Sequence, residues 1–489
     1  MKQGFYNTLG GTVRAAITFL TIPGLIRIIG IKEFGLWALV SAVVGVIALL
    51  EGGLSVSTTV FVARDLARGD RVGVAQTLTA NLGAMLGLAT LAGAVLWFGA
   101  GLIQTFVPTL DASDVEQAAA ALRISGLVVW ARLLQQFLIG IEQACQRYGL
   151  MNSITTGHTA LSNVGMLVVA YSGGHIVDLM KWQLLVATVM LTVHSMVGWF
   201  LLRHLELRPA WDSDKAKRIW RYGSLAWISS LGVALFSQCD RLIVAAFLGA
   251  GGVGVYAAVT SAARQVNYLS GLAAQPLLPL ASAFSSGRDK GGEPERSRWV
   301  RQAIQMNAVV ALGLGASLVL FSPEISAFLL QEAGTNQSAW ALRVAAVVFA
   351  LYSLNAPGYY VLLGLGASGF CAAVVVSSGA VTLLLIAIGA KTLGLVGAVV
   401  GSAGYLLTLL LTWRGMHHLG QPHRRWLAWV RFPLLWFLAA LIADGLLPQS
   451  WSLRGIFFLA QSGVLFGWFL RVQGLSIRRV LERLRALGI

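Results

Sequence analysis

The chain has 489 residues, of which 57% are hydrophobic and only 11% are charged. Soluble globular domains carry about 25% charged residues, so this composition excludes a water-soluble fold and indicates an integral membrane protein. The net charge of +16 does not indicate a nucleic-acid partner, because the basic residues collect at membrane boundaries. Cys145, Cys239 and Cys371 are scattered in apolar stretches, which predicts neither a disulfide framework nor a metal site.

Apolar runs long enough to cross a bilayer recur along the whole chain. A spanning helix needs about 20 apolar residues, because the hydrocarbon core is ~30 Å thick and a helix rises ~1.5 Å per residue. We therefore predict an all-α polytopic membrane protein with about 14 transmembrane helices, some joined by tight hairpins near Lys32, Ala250 and Lys391. The predicted spans are 9–31, 34–61, 75–100, 118–142, 153–172, 181–202, 223–248, 252–278, 302–322, 338–363, 369–390, 392–413, 432–447 and 453–470.

Lys and Arg residues concentrate in alternate loops, which sets the predicted orientation. If the N-terminus is cytoplasmic, most of the 36 basic residues lie in cytoplasmic segments or within spans. The opposite side holds Lys32, Lys181, Lys391 and Arg454. The positive-inside rule then places both termini in the cytoplasm. The outer loops are too short for a catalytic domain, so we predict that the protein is not an enzyme.

An internal repeat divides the chain. Residues 29–43 resemble residues 248–262 at an offset of 219, which pairs Gly30 with Gly249, Gly35 with Gly254, and Trp37 with Tyr256. Six helices per unit preserve orientation, so the halves are predicted to be parallel repeats, as in secondary transporters. The predicted domains are an N-terminal six-helix lobe 1–205, a cytoplasmic linker 206–222, a C-terminal six-helix lobe 223–418, a terminal transmembrane hairpin 419–475, and an amphipathic cytoplasmic tail 476–489 on the inner leaflet.

Two glycine-rich stretches fit G-x-G-x-x-G, one from Gly249 to Gly254 and one from Gly364 to Gly369. Neither follows a strand in a βαβ unit, so we do not interpret them as dinucleotide sites. The sequence also lacks a Walker A motif, a nucleophile–base pair and a metal-ligand spacing. We therefore expect no cofactor, no metal and no catalytic residues.

Ionisable residues within the predicted spans carry the most functional information. Each costs roughly 2.5–3.5 kcal/mol at mid-bilayer and so faces a cavity or a partner. Cations outnumber acids there, which favours an anionic ligand in a cavity between the halves, and the arginine fork matches phosphate oxygens. The structural alternative for the adjacent Asp240 and Arg241 is a pair of interhelical salt bridges. The candidate residues are Arg14, Arg132, Arg241 and Arg264, the acids Glu51 and Asp240, and the polar Gln136, Gln265 and Asn267.

Several segments together resemble a known family. They are Gly10-Gly-Thr-Val-Arg14 with Ile22-Pro23, Leu50-Glu51-Gly-Gly-Leu54, Ala63-Arg64-Asp65 with Gly69-Asp70, Asp240-Arg-Leu-Ile with Val253-Gly254-Val-Tyr256, Pro276-Leu-Leu-Pro279, and Ser285-Ser-Gly-Arg-Asp289. On these segments the chain resembles the polysaccharide-unit flippases of bacterial inner membranes, the O-antigen and exopolysaccharide exporters. Their superfamily also holds the multidrug and toxic compound extrusion (MATE) transporters and the lipid II flippase.

The resemblance implies a fold, an activity and roles for the candidate residues. The implied fold is MATE-like, with two parallel six-helix lobes plus a C-terminal helix pair. The implied activity is flipping of undecaprenyl-diphosphate-linked oligosaccharide across the inner membrane for lipopolysaccharide or exopolysaccharide synthesis, by alternating access and beside a polysaccharide polymerase or other assembly proteins. In this scheme the arginines Arg14, Arg132, Arg264 and Arg241 bind the diphosphate, whereas Gln136, Gln265 and Asn267 line the cavity.

The coupling ion in this scheme is a proton or sodium ion that acts through Glu51 or Asp240. Glu51 stands where many relatives have aspartate, and a carboxylate is kept. Three alternatives stay open. A multidrug exporter of the same fold usually has twelve helices and an acidic cavity. A lipid II flippase shares the fourteen helices and the cationic cavity. A membrane polymerase or ligase would need a larger outer loop.

Overall fold

A computed structural model describes residues 2–51, 53–275, 277–278, 281, 293–418, 423–448 and 450–473. All regular secondary structure in these ranges is helical. The predicted tail 476–489 lies outside the described residues. The helices are α1 Lys2–Ala48, α2 Leu54–Ala67, α3 Arg71–Gly99, α4 Ile103–Phe106, α5 Ala112–Ala144, α6 Tyr148–Tyr171, α7 Ile176–Leu202, α8 Ser213–Ala274, α9 Glu293–Leu320, α10 Ser322–Leu330, α11 Asn336–Tyr352, α12 Ala356–Gly364, α13 Ser368–Gly401, α14 Leu409–His418, α15 His423–Leu446 and α16 Trp451–Gln473.

Ten helical stretches in the described ranges are long and apolar enough to cross a membrane. Three of these stretches each overlap two predicted spans. In each of the three, a glycine with positive φ, namely Gly30, Gly249 or Gly394, breaks the helix between the two spans. The more polar α6 is also of spanning length. These elements occupy the positions of all fourteen predicted spans, so the all-helical polytopic fold is confirmed.

The second predicted span, 34–61, is not one continuous helix. A 3₁₀ turn at Leu49–Glu51 ends the first part, and α2 starts after Gly53, whose φ is 72°. This left-handed conformation favours glycine. A Cβ on Gly53 would also lie 2.2 Å from the carbonyl oxygen of Gly223. Gly53 therefore breaks the helix where another backbone passes close by, and hydropathy alone does not detect such a break.

The chain groups into two compact units. Unit 1 comprises Met1–Ala258 with Leu329–Ala333 and Ala390–Gly394, and unit 2 comprises Val259–Phe328, Gly334–Gly389 and Leu395–Ile489. In unit 1, α5 packs against α1, α2, α3 and α7. The backbones of α3 and α5 touch, since a Cβ on Gly126 would lie 2.8 Å from the Gly93 carbonyl oxygen. Close approach through small residues is typical of helix packing in membranes. The lobe boundaries predicted from the repeat stay a prediction.

In unit 2, α9 packs against α11, α15 and α16, and buried charges join the last two helices to the rest. The Asp444 carboxylate on α15 lies 2.9 Å from Nε of Arg343 on α11 and 3.4 Å from Nη1 of Arg454 on α16. Arg454 also donates to the Leu320 carbonyl oxygen at 2.8 Å. The sequence analysis placed Arg454 in an outer loop, but its side chain is only 1% exposed. Its burial is possible because Asp444 offsets the charge.

The two repeat-related hairpins contact each other within unit 1. Gly30 and Gly249, which the 219-residue offset aligns, share positive φ with extended ψ. A Cβ on Gly35 would lie 1.8 Å from the Ala250 carbonyl oxygen, and a Cβ on Gly254 would lie 2.4 Å from the Ile31 carbonyl oxygen. At the 219-residue offset, Gly35 aligns with Gly254 and Ile31 aligns with Ala250. The two contacts are therefore equivalent, as contacts about a two-fold axis are.

Adding a methyl group at this contact should destabilise the protein. Gly35→Ala and Gly254→Ala place a Cβ against a backbone carbonyl, which cannot move as a side-chain rotamer can. We expect each change to cost about 1–3 kcal/mol and to lower the midpoint of thermal unfolding in detergent. Gly251→Ala is the matched control, because a Cβ there meets nothing within 4 Å. An unchanged midpoint for both test variants would contradict this hairpin packing.

Candidate functional site

Arg14 on α1 is held by neutral side chains of α6. Its Nη1 atom lies 3.2 Å from Thr156 Oγ1, 3.3 Å from Thr155 Oγ1 and 3.4 Å from Asn152 Oδ1. All its side-chain hydrogen bonds within the described part of the chain go to these three residues. Arg14 is half-buried, and no acid among the described residues pairs with its guanidinium. Such a group can attract an anion without first breaking a salt bridge.

Arg132 on α5 has a similar environment. Its Nη2 donates to Gln183 Oε1 on α7 at 2.8 Å, and its buried Nε has no hydrogen-bond partner among the described residues. His158 on α6 lies within electrostatic reach of Arg132. Both arginines were predicted from the sequence. Arg14 is hydrogen-bonded to α6, and Arg132 lies within electrostatic reach of the same helix. The unused Nε is a donor that a ligand could engage.

The three residues that hold Arg14 belong to a polar stripe on α6 that was not predicted from the sequence. Its members recur at intervals i, i+3, i+4, i+7 and i+11, which place them on one helical face. They are Asn152, Thr155, Thr156, Thr159 and Asn163. The hydroxyls of Thr155 and Thr159 donate to backbone carbonyls one turn earlier, which leaves their lone pairs available as acceptors. This periodicity in an otherwise apolar helix was detectable from the sequence.

The predicted polar lining is distributed over both units. Gln136 lies one turn after Arg132 on α5 and is exposed, in unit 1. Arg264, Gln265 and Asn267 are half-buried in unit 2, where Arg264 lies within electrostatic reach of Tyr352. Arg241 is half-buried in unit 1. The role of these residues in one common site stays a prediction.

The two acids predicted for ion coupling are engaged locally in unit 1. Glu51 accepts the backbone N–H of Ser55 at 3.1 Å, in the first turn of α2. The fully buried Asp240 accepts the Tyr256 hydroxyl at 3.1 Å and the Arg241 backbone N–H at 2.8 Å. Tyr256 lies beyond the helix break at Gly249, so Asp240 joins the two helices of that hairpin.

A buried Glu–His pair is a second feature that the sequence analysis missed. His194 Nδ1 on α7 lies 2.7 Å from Glu142 Oε1 on α5, and their side chains are 1% and 0% exposed. Neither residue is among the candidates that the sequence suggested. The residues are 52 apart in sequence, so only the packing of α5 against α7 brings them together.

The acids of one family motif have structural roles. Asp65 accepts the Lys215 ammonium at 2.7 Å and the Thr77 hydroxyl at 3.1 Å, and both members of the ion pair are buried. Asp70 caps α3, because its Oδ1 accepts the Gly73 N–H at 2.7 Å. The segment predicted as the 206–222 linker is thus attached to α2 and α3 through Lys215.

An apolar cavity of about 580 Å³ lies in unit 1 among α1, α3, α5 and α8. Aliphatic side chains such as Val43, Ile47, Val95, Leu242 and Ile243 line it. It offers no donors to a phosphate or sugar, so the polar candidate site is the region of α6 with Arg14 and Arg132. Within the described ranges, no group of three or more His, Cys, Asp and Glu residues could hold a metal ion.

Comparison with solved structures defines the class of the fold. An inward-facing multidrug resistance MATE family transporter of the MOP superfamily matches with a TM-score of 0.67 at 18% identity, over 86% of this chain and 94% of that chain. The lipid II flippase MurJ in an inward closed conformation matches with a TM-score of 0.67 at 13% identity, over 94% and 99%. A third match is a MOP superfamily transporter from Pyrococcus furiosus, for which a reverse polarity of the binding pocket is reported. Its TM-score is 0.55 at 17% identity, over 86% of this chain and 96% of that chain. The fold is that of MOP superfamily transporters.

The particular family follows from the sequence. The profile of the polysaccharide biosynthesis protein family matches residues 1–285, more than half of the chain. The chain therefore belongs to this family, which confirms the resemblance seen in the motifs. No curated protein matches the chain.

Removing the acid from the buried pair at Lys215 should be strongly destabilising. Asp65→Asn leaves the Lys215 ammonium without its counter-charge, and breaking such a pair costs about 3–5 kcal/mol. We expect a lower midpoint of thermal unfolding in detergent, and recovery of most of the loss in Asp65→Asn with Lys215→Met. The control is Asp214→Asn, whose ion pair with Lys217 is exposed and contributes little. A double variant no more stable than Asp65→Asn would contradict the explanation.

Proposed function

We propose that this protein flips undecaprenyl-diphosphate-linked oligosaccharide repeat units from the inner to the outer leaflet of the bacterial inner membrane. The product would supply surface polysaccharide such as O-antigen or exopolysaccharide, and transport would proceed by alternating access. Membership of the polysaccharide biosynthesis protein family supports the pathway. The MOP transporter fold supports movement of a substrate across the membrane.

One observation carries the proposal most directly. In unit 1, the deep arginines Arg14 and Arg132 bind only neutral partners within the described residues. Uncompensated guanidinium groups in low dielectric are costly, and a diphosphate would offset that cost with strong charge-assisted hydrogen bonds. The multidrug alternative needs acids that attract cationic drugs. The acids Glu51 and Asp240 are instead engaged by backbone N–H groups, which disfavours that alternative.

The polar stripe on α6 supports a sugar-bearing substrate. Hydroxyl and amide groups at Thr155, Thr156, Thr159 and Asn163 can exchange hydrogen bonds with sugar hydroxyls, whereas an apolar wall cannot. Arg14 donates hydrogen bonds to this stripe, so a diphosphate on Arg14 would place its sugar beside it. The prenyl chain needs no protein site of this kind, because it can stay in the surrounding lipid.

Orientation is part of the proposal. The distribution of Lys and Arg places both termini in the cytoplasm by the positive-inside rule. Glu51 or Asp240 is the proposed site of proton or sodium coupling. Arg241 and Arg264 are proposed to assist diphosphate binding. Contact with a polysaccharide polymerase or other assembly proteins would deliver the flipped unit to the next step.

The lipid II flippase is the second candidate, because the fold of the lipid II flippase MurJ matches over nearly the whole chain. Deletion of the gene separates the two. We expect a complete undecaprenyl-diphosphate oligosaccharide to accumulate on the inner leaflet, while growth continues. Mass spectrometry of extracted lipids, with and without a plasmid copy of the gene, checks this. Loss of viability with accumulated lipid II would support the cell-wall precursor instead.

Arginine substitutions test the binding assignment. Arg14→Ala and Arg132→Ala each remove hydrogen bonds to a charged group, worth about 1.5–3 kcal/mol, so surface polysaccharide should fall about tenfold or more at equal protein level. Arg132→Lys keeps the charge but loses the fork, and should recover part of the output. Arg264→Ala tests unit 2 in the same way.

The matched control is Arg123→Ala, because Arg123 is an exposed arginine on the same helix as Arg132. Its output should equal the wild-type output. If Arg14→Ala and Arg132→Ala also give wild-type output, these arginines do not bind the diphosphate. Wild-type output from Arg264→Ala would remove Arg264 from that role without affecting the other two.

A further inference from the structure

Unit 2 contains two 3₁₀ segments in the interior of predicted spans. Ser353–Asn355 joins α11 to α12, and Ser402–Thr408 joins α13 to α14. The second segment has seven residues, whereas every other 3₁₀ segment in the described ranges has three. Runs longer than roughly 3–4 residues are uncommon, because the hydrogen-bond geometry is poorer than in an α-helix. Transporters use discontinuous helices of this kind to build substrate sites, which makes the two segments candidates for one.

The 3₁₀ geometry brings two short rows of side chains into register. A 3₁₀ helix has about three residues per turn, so side chains three residues apart stand in one row. Tyr405 and Thr408 form such a row, and Tyr352 and Asn355 have the same spacing at the end of α11. The ring centroids of Tyr352 and Tyr405 are 5.3 Å apart, and Asn355 Nδ2 donates to Thr408 Oγ1 at 2.7 Å. An α-helix turns by ~100° per residue, which would leave Tyr405 and Thr408 ~60° apart.

Glycines hold the longer segment against α13 from the other side. A Cβ on Gly401 would lie 2.4 Å from the Ile386 backbone nitrogen, and a Cβ on Gly404 would lie 2.6 Å from Thr382 Oγ1. Neighbouring side-chain directions differ by ~120° in a 3₁₀ helix. The close packing of Gly404 on α13 therefore directs Tyr405 away from α13 and toward α11.

The two tyrosines lie deep in their spans. Each is ~12 Å or more from both ends of its predicted span, 338–363 for Tyr352 and 392–413 for Tyr405, at the α-helical rise. Tyrosine ordinarily collects at the two membrane interfaces, because its hydroxyl needs a polar partner. Phe349 is buried behind both rings, with centroids 6.1 Å away. Tyr352 and Tyr405 are themselves only half-buried, so part of each ring stays accessible.

This arrangement offers the contacts that a sugar ring needs. The face of an aromatic ring is electron-rich and attracts the polarised C–H groups on the face of a pyranose. Tyrosine hydroxyls donate and accept hydrogen bonds, which matches the sugar hydroxyls. The two rings are tilted by 40° rather than stacked, so neither covers the face of the other. A prenyl or acyl chain would use none of the polar groups, and an inorganic ion would use none of the ring faces.

We propose that Tyr352 and Tyr405 form a sugar-binding subsite in unit 2, and that the Asn355–Thr408 hydrogen bond holds the two rings in register. The proposal rests on the proposed function for the presence of a sugar in the substrate, and it names residues that recognise the glycan rather than the diphosphate. Asn355 lies within hydrogen-bond reach of the Tyr352 hydroxyl, which keeps acceptor capacity for a ligand. Arg264, a predicted diphosphate ligand, lies within electrostatic reach of Tyr352 in the same unit.

Binding of two lipids that differ only in the sugar isolates this subsite. The probes are undecaprenyl diphosphate and the lipid-linked oligosaccharide extracted from the deletion strain, and native mass spectrometry of the full chain in detergent measures both affinities. We expect the wild type to bind the glycosylated lipid about tenfold more tightly, the effect of one or two hydrogen bonds and a ring contact. Tyr352→Leu and Tyr405→Leu should lower this ratio to about one and leave the affinity for undecaprenyl diphosphate unchanged.

Milder variants and a control complete the test. Tyr352→Phe and Tyr405→Phe keep the ring, so they should fold and lose only part of the ratio. Tyr268→Leu is the control, because Tyr268 is an exposed tyrosine of α8 in unit 2, and its ratio should equal that of the wild type. A wild-type ratio of one overturns the proposal, whether or not the leucine variants fold.

Two further results would overturn the proposal. One is an equal loss of affinity for both lipids in the leucine variants, because a purely structural role of the tyrosines predicts that result. The other is an unchanged ratio in both phenylalanine variants when the leucine variants do not fold.

The two proposals fail separately. Accumulation of the lipid-linked oligosaccharide on gene deletion, together with a wild-type ratio of one, leaves flipping intact and removes the sugar subsite. Accumulation of lipid II instead removes the proposed function. Lipid II then serves as the glycosylated probe, and a ratio that falls in the tyrosine variants keeps the subsite.

Discussion

Hydrocarbon offers no hydrogen bonds, and this constraint governs the whole molecule. Every backbone polar group in a span must be satisfied within its own helix, so the described regular structure is entirely helical. The sharp breaks occur where glycine takes a positive φ, at Gly30, Gly53, Gly249 and Gly394. Gly35 and Gly254 let the two repeated hairpins touch through their backbones. The residues that the 219-residue offset aligns therefore also pack against each other.

The same constraint sorts the buried charges into two groups. Lys215 has an acidic partner in Asp65, and Arg343 and Arg454 share Asp444. Those cations have acidic partners within the protein, and the ion pairs hold helices together. Arg14 and Arg132 have neutral partners instead. A positive charge kept in a low-dielectric interior without a counter-ion is explained most simply by an anion that arrives from outside.

The family motifs mostly build the frame. Asp65 and Asp70 fix helix ends and the linker, and Gly254 and Tyr256 form the second hairpin. Substrate contacts would lie elsewhere, on the polar face of α6 and on Arg132. This division explains why the motifs indicate a superfamily more clearly than a substrate.

Hydropathy and loop charge in the sequence determined the helical class, the positions of the spans and the repeat, because each depends on local composition or spacing. The sequence also picked out Arg14 and Arg132, since arginine in an apolar run is conspicuous by itself. Tertiary structure alone decided which buried charges have acidic partners. It also showed the break at Gly53 and joined Glu142 to His194, because these depend on contacts between helices that are distant in sequence. The fourteen predicted spans thus came from composition, whereas the candidate site came from packing.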